Sequence, residues 1–376
     1  MSNISVDITN VILQTERLIL RSWKENDAKD LFEYARVEDV GTMAGLITHE
    51  NIDASKAILK KFIAEKHTFA VEKDGKVIGS IGIEKYDEMH FPDLTDRKGT
   101  ALRFMLSKAY WGQGIMPEAV WKVIEWLFDV KHVDFVMCDY FAWNARSAAV
   151  QSKLGFHYFS TVLHKTQSEK QETTIQNIMT AEDYRLQRQI RFITKIDAEK
   201  NILRQTHLTN HGRCENDAEH AWHMAIMCYL LQEYANENID LAKTMMMCLI
   251  HDIVEIEAGD TYAYDEEGKK TQQAREALAA EHLYAILPSD QMRELKGLFE
   301  EFEANKTAEA KFAHAMDNFQ PLLLNHANGG SDWRQHDVSR TIVETRQSKT
   351  AEGSKKLYEE VERILDAHVQ NGQLKP

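Results

Sequence analysis

Between Leu249 and Asp260 the chain reads Leu-Ile-His-Asp-Ile-Val-Glu-Ile-Glu-Ala-Gly-Asp, just after Met245-Met246-Met247. The run is apolar enough for a buried helix, yet His251-Asp252 puts an imidazole and a carboxylate inside it. A buried carboxylate is costly unless it is paired or bound to a metal. Glu255 falls one helical turn past the pair on the same face, and Gly259 offers a stop after which Asp260 can turn back. Two further stretches can complete a site: Glu219-His220-Ala221-Trp222-His223 upstream and His314-Ala315-Met316-Asp317 downstream. His220, His251, Asp252 and Asp317 together supply two nitrogens and two oxygens, a mixed set suited to Mn, Fe, Co, Ni or Zn rather than calcium, with positions left for water. His223, His314 and His326 are alternative nitrogens.

The second stretch with chemistry in it is Leu102-Arg103-Phe104-Met105-Leu106-Ser107-Lys108-Ala109-Tyr110-Trp111-Gly112-Gln113-Gly114-Ile115-Met116-Pro117-Glu118. It reads as a strand, a glycine-bearing turn and a helix with proline in its first turn. Such a turn aims free backbone N–H groups at one spot and binds phosphate without a lysine. The glycines let the backbone approach the ligand closely.

Positioning these groups takes two different kinds of architecture. Up to about residue 180, strand and helix signals are mixed, as in α+β or α/β domains. Strands are expected at Val11–Trp23, His67–Glu72, Val77–Tyr86, Thr100–Ser107, Val133–Tyr140, Phe156–Leu163 and Thr173–Met179, with Asp74-Gly75 as a hairpin turn. Helices are expected at Asn26–Arg36, Ala54–Lys66, Pro117–Val130 and Asn144–Leu154. From Ala181 no strand signal remains, and seven helices are expected: 187–204, 217–236, 240–256, 270–286, 289–303, 307–326 and 350–370. The 376 residues therefore divide into two domains, 1–183 and 184–376, joined through a polar segment without Gly or Pro.

A net charge of −14 argues against general binding to nucleic acid or acidic membranes. Four scattered cysteines without a CxxC pair suit a reducing compartment. With no signal pattern and no apolar run of membrane-spanning length, a cytoplasmic location is expected.

The order His…His-Asp…Asp, with the extended His251-Asp252-x-x-Glu255-x-x-x-x-Asp260, resembles the HD-domain metal-dependent phosphohydrolases, and within them the 5′-deoxynucleotidases. The resemblance runs from about Arg188 to about residue 345. It implies an all-α helical bundle with one divalent metal, among them Mg, on His220, His251, Asp252 and Asp317. His220 is preferred over His223 because Glu219-His220 aligns with the family's Glu-His pair. Glu255 is then expected to act on the water and Asp260 on the leaving oxygen, with Arg204 or Arg213 binding the phosphate of a nucleoside 5′-monophosphate. In the resembling nucleotidases a tryptophan follows the substrate arginine and selects deoxyribose, whereas here Gln205 follows Arg204.

The Trp111-Gly112-Gln113-Gly114 turn, Asn144-Ala145-Arg146-Ser147, Lys153-Leu154-Gly155-Phe156 and Thr15-Glu16-Arg17-Leu18 together resemble the GNAT N-acetyltransferases, in particular the ribosomal-protein branch, over about residues 10–180. This implies an α/β/α fold with a mixed sheet and acetyl-CoA held by Phe104, Leu106, Gly112, Gln113, Gly114, Ile115, Met116, Asn144 and Ser147, with transfer to an amine acceptor. Gln151 stands where several members carry the tyrosine that protonates the thiolate, and Glu84, Asp87 and Glu88 are the candidate bases. The combined reading is a bifunctional enzyme acting on small molecules, and a homodimer is compatible with it. The alternative is an acetyltransferase whose helical half holds a structural metal for sensing or scaffolding.

Overall fold

The computed structural model describes residues 3–88, 91–167, 169–259 and 266–376, the side chains of 92 and 266–269 excepted. The chain forms two compact units, Met1–Gln187 and Arg188–Pro376.

The N-terminal unit carries β1 (Leu13–Gln14), β2 (Ile19–Arg21), α1 (Ala28–Ala35), α2 (Glu38–Met43), α3 (Ile52–Glu65), β3 (Thr68–Lys73), β4 (Lys76–Glu84), β5 (Gly99–Leu106), α4 (Ile115–Asp129), β6 (Phe135–Phe141), α5 (Ala145–Leu154), β7 (His157–Lys165) and β8 (Gln171–Thr180). They make one eight-stranded sheet in the order β1-β2-β3-β4-β5-β6-β8-β7. The hairpin at Asp74-Gly75 has positive φ at both residues, as a two-residue turn between right-twisted strands requires. All neighbours are antiparallel except β5 and β6, which pair in parallel from Gly99↔Phe135 to Leu102↔Cys138 and no further. Both strands run on past that point, so they part. The apolar face of α4, with Val120, Val123, Ile124 and Leu127 fully buried, packs with Leu20, Phe69, Ile81 and Leu102 into the main core.

A helix through the division, α6 (Ala181–Ile196), leads to β9 (Leu203–His207), β10 (Cys214–Asn216), α7 (Asp217–Leu231), α8 (Leu241–Ile250), α9 (Glu255–Ala258), α10 (Glu266–Tyr284), α11 (Ser289–Ala304), α12 (Ala308–Ala327), α13 (Ser331–Gln335), α14 (Arg340–Gly353) and α15 (Lys355–Gln370). Two expectations are corrected here. First, β9 and β10 form a short antiparallel hairpin where only helix was expected, since Leu203–His207 is too short to show a period. Second, the helix expected over 240–256 stops at Ile250. His251–Val254 form a tighter turn, in which the Ile253 N–H reaches the Ile250 carbonyl at 3.3 Å and the Glu255 N–H the Asp252 carbonyl at 2.9 Å.

Local signals fix where α7, α8 and α12 begin. Asn216 and Glu219 form a reciprocal capping box at the start of α7, Asp240 caps α8 through the Lys243 N–H, and Thr307 caps α12 through the Ala310 N–H. Met224, Met247, Phe312, Ala313 and Met316 then bury the three helices against each other. Gly353, at the end of α14, lies against α12: a Cβ there would meet the Lys311 carbonyl and stand 2.8 Å from the Ala315 Cβ. A Gly353→Ala variant should lose about 1–3 kcal/mol through overpacking. Denaturant unfolding checks this, with an unchanged midpoint contradicting it.

Candidate functional site

In the C-terminal unit, α7 contributes His220, the turn after α8 His251 and Asp252, and α12 Asp317. Donor atoms of His220, His251 and Asp317 all lie within 4.8 Å of one another. His220 Nε2 stands 3.2 Å from Asp317 Oδ1, and His251 Nε2 4.0 Å from the same oxygen. Asp252 adjoins them, its Oδ1 3.1 Å from His251 Nε2.

The hydrogen-bond network settles which ring nitrogens face the centre. Glu215 can only accept, so Gln320 presents Nε2 to it at 2.8 Å and turns Oε1 to His220 Nδ1 at 2.9 Å. His220 therefore donates through Nδ1 and directs Nε2 at Asp317. His251 donates through Nδ1 to the Cys248 carbonyl at 3.0 Å, which leaves Nε2 buried without a hydrogen bond. Two imidazoles held by their far nitrogens, with the near ones converging on carboxylates, fit a divalent cation.

The charge state of the side chains agrees. Burial disfavours an imidazolium at His251, but the negative charge of Asp252 outweighs it and raises the group to about 9. Burial likewise opposes ionisation of Asp317, yet the hydrogen bond from His220 and the charge of Arg346 hold it well below the usual range. A proton on His251 supplies positive charge to these carboxylates, and a cation bound at the same lone pair would displace it.

Arg204, on β9, extends one guanidinium nitrogen to Asp252 at 2.6 Å and to Asp217 at 3.3 Å. Glu255 is buried at the start of α9. Glu199 is buried nearby in chain space, in the Asp197–Asn201 turn that packs on α7 and α9. Burial first, and then the charges of Asp252 and Asp217, raise it to about 7.

In the N-terminal unit a cavity of about 710 Å³ opens where β5 and β6 part, and it is lined by Phe104, Leu106, Gly112, Gly114, Ile115, Met116, Asn144 and Ser147. Gly112 and Gly114 both have positive φ (76° and 73°), a region costly for side-chain-bearing residues. No side chain caps α4 at Gly114, so first-turn N–H groups stay available to a ligand. Arg17 braces the turn: its Nη1 donates to the Gln113 carbonyl at 3.2 Å and its Nε to Glu118 at 2.7 Å. Thr15 adds a second bond to Glu118 at 2.5 Å. Asn144 lines the cavity, but its amide caps α5 through the Ser147 N–H and donates to the Met43 carbonyl.

Comparison with known proteins identifies both units. Residues 196–358 match the HD domain family, and residues 17–157 the acetyltransferase (GNAT) domain family. A protein of Magnetospirillum magnetotacticum, described as a predicted metal-dependent phosphohydrolase, is 45% identical, with 52% of this chain covering 98% of that one at a TM-score of 0.50. The chain is a GNAT acetyltransferase domain fused to an HD-domain phosphohydrolase. A 5′-deoxynucleotidase of Xenopus laevis is 31% identical to the HD part over 109 residues, 29% of this chain and 53% of the relative. An uncharacterised N-acetyltransferase of Bacillus subtilis is 26% identical over 152 residues, 39% of this chain and 82% of the relative. The chain spans about half the length of the nucleotidases it matches. GNAT domains use acetyl-CoA and HD domains bind a divalent metal, and no helix among the described residues is long and apolar enough to cross a membrane.

Of the HD-domain candidates, the structure gathers His220, His251, Asp252, Asp317 and Arg204 around one point. Arg213 is not among them: its guanidinium is exposed and grips Glu219 of the capping box at 2.5 Å. Asp260 lies outside the described residues. His223 rests on Gln320 at 3.1 Å, and His326 pairs with His368 at 2.9 Å. Sequence reasoning missed Gln320, a polar residue within an otherwise buried stretch of α12, and Glu215, which sits on the three-residue strand β10 among exposed and half-buried neighbours. In the GNAT domain, Gln113 is turned away, its side chain bonding to the Ala109 carbonyl. Of the three candidate bases Glu84 lines the cavity, paired with Arg103 at 3.2 Å, while Glu88 accepts from Asn3. Gln151 is fully buried, donating to the Asp139 carbonyl and accepting from Asn177. Tyr110 and Tyr140 are phenols that line the cavity.

His314 has a structural role, since its Nε2 donates to the Phe302 carbonyl at 2.9 Å and its ring stacks on Phe302. Burial lowers it to about 4. The folded state therefore resists a proton that the unfolded chain accepts near pH 6.5, so this residue's contribution is intact above pH 6.5 and declines as pH falls toward 4. The loss should approach roughly 3 kcal/mol. Urea titrations between pH 7 and 4 should show a shallower decline for His314→Gln than for wild type, and equal slopes would refute the assignment.

Proposed function

We propose that the HD domain hydrolyses a phosphomonoester, with a nucleoside 5′-monophosphate as substrate, and that the GNAT domain transfers acetyl from acetyl-CoA to an amine. The convergence of His220, His251 and Asp317 donor atoms within 4.8 Å, with Asp252 and Arg204 beside them, carries the first reading. A divalent ion held by these four ligands, drawn from Mn, Fe, Co, Ni, Zn or Mg, supplies positive charge to the phosphoryl oxygens and acidifies water. The residues do the rest. Arg204 orients Asp252 and offers the remainder of its guanidinium to a phosphate oxygen. Glu255 accepts the proton of the attacking water, and Asp260 stabilises or protonates the leaving oxygen.

In the acetyl transfer, the amine nitrogen attacks the thioester carbonyl, the carbon–sulfur bond breaks and the thiolate takes a proton. The backbone N–H groups at Gly112–Met116 hold the pyrophosphate. The parted strands β5 and β6 bond the cofactor arm, and Glu84 removes the proton of the amine.

The two activities are tested separately. Purified protein with Mn, Co or Mg should release phosphate from nucleoside monophosphates. Glu255→Gln should cut turnover ~10²–10⁴-fold while metal content stays at wild-type level. His251→Ala should lose the metal itself. A metal-loaded wild type that releases no phosphate from any nucleotide would replace the hydrolase reading with a structural metal. For the other domain, calorimetry should detect acetyl-CoA binding that Gly114→Val weakens at least ~10-fold, since a side chain at that φ is strained and blocks the anion. No binding by wild type at about millimolar concentration would remove the acetyl-CoA site.

A further inference from the structure

The β9–β10 hairpin brings together three groups that the proposed chemistry leaves unused. Cys214, the first residue of β10, stands opposite His207, the last residue of β9. Its Sγ lies 3.8 Å from His207 Nε2, within hydrogen-bonding range for sulfur. The other side of the ring meets Asp332 of α13, whose Oδ1 is 2.9 Å from His207 Nδ1 and whose Oδ2 accepts the His207 backbone N–H at 3.0 Å. Asn328 fixes the same stretch of backbone by donating to the carbonyls of His207 and Leu208 at 3.2 and 3.0 Å.

A carboxylate only accepts, so Nδ1 carries the ring proton and Nε2 keeps a lone pair for the thiol. Asp332 is 7% exposed, so its hold on the ring is little screened by solvent. Clamping the hairpin uses only the Nδ1 side of the imidazole and does not require a lone pair aimed at sulfur. Burial first, and then the charges of Asp332 and Glu215, push the Cys214 thiol up, so the resting group is S–H and a base must remove its proton. A thiol, a base within reach and a third group that orients the base are the parts of an activated nucleophile.

Access selects the same residue. Cys138, Cys228 and Cys248 are buried, whereas Cys214 is half-buried beside the exposed turn 209–213. Strand alternation sets its side chain on the face of β10 opposite the buried Glu215, so the thiol is separate from the metal centre.

We propose that Cys214 is a nucleophilic modification site for low-molecular-weight disulfides, with His207 as its base. The S–H proton passes to His207 Nε2, and Asp332 stabilises the imidazolium. The freed thiolate attacks one sulfur of the disulfide, the S–S bond breaks, and Cys214 is left in a mixed disulfide. The departing thiolate takes the proton back from Nε2. One thiol and one disulfide enter, one thiol and one mixed disulfide leave, and an excess of dithiol reverses the exchange.

Incubation of the native full chain with excess glutathione disulfide, followed by mass spectrometry, tests this. Wild type should take up one glutathione per chain, on Cys214, and lose it to dithiothreitol; Cys214→Ser should take up none. His207→Gln keeps a donor for Asp332 but has no ring base, and should be modified at least ~10-fold more slowly, with the circular dichroism of wild type. If that variant fails to fold, His207→Asn carries the test, with the same slowing expected. A native wild type that takes up no glutathione on Cys214 overturns the proposal. So does a folded His207 variant that is modified as fast as wild type.

Discussion

The HD domain is organised around a deficit of positive charge in its interior. Glu215, Asp217, Asp252 and Asp317 are gathered among α7, α8, α12 and the β9–β10 hairpin, and Arg204 is the permanent cation bonded among them. Carboxylates packed this closely inside a fold are tolerated only if something compensates them. Two protons on His220 and His251 can do so, and so can one divalent ion, which carries the same two charges. The Gln320 side chain and the Cys248 carbonyl hold the far nitrogens of the two rings, so the near ones keep their aim toward the carboxylates. Metal affinity in such a centre is coupled to proton release, because ion and protons compete for the same lone pairs.

The GNAT domain solves its binding problem with backbone rather than side chains. Its strands β5 and β6 stop pairing after Leu102↔Cys138, and the Gly112–Gly114 turn leaves the first turn of α4 without a side-chain cap. Such a site tolerates wide variation in side chains, provided the turn keeps its shape. That explains the investment in Arg17, Thr15 and Glu118, which hold the turn from outside and touch no reacting atom.

Side chains with strong chemical identity were legible in the sequence, and groups defined by geometry were not. His251-Asp252 and Asp317 stood out because charge within an apolar helix demands a partner, and the strand–glycine–helix turn stood out because its grammar is local. The break after Ile250 was invisible, since a single tightened turn leaves the hydrophobic period almost unchanged. The β9–β10 hairpin was missed for the same reason: five residues reading Leu-Arg-Gln-Thr-His continue a helical pattern as plausibly as they begin a strand. That omission hid why Arg204 belongs to the site and Arg213 does not. The hairpin carries Arg204 inward to Asp252, while Arg213 sits just ahead of β10 and serves the cap of α7.

Glu199 shows how far the influence of the centre extends. Its carboxyl is buried, one oxygen has no hydrogen bond, and it is held near 7 by burial and by the charges of Asp252 and Asp217. The charges of His251 and His220 draw it the other way. A divalent ion that displaced two imidazole protons would bring the same two charges, so the field reaching Glu199 would stay nearly balanced while the cost of burial is unchanged. The exchange of protons for metal is therefore confined to the groups that share lone pairs with the ion, and Glu199 feels the centre without taking part in it.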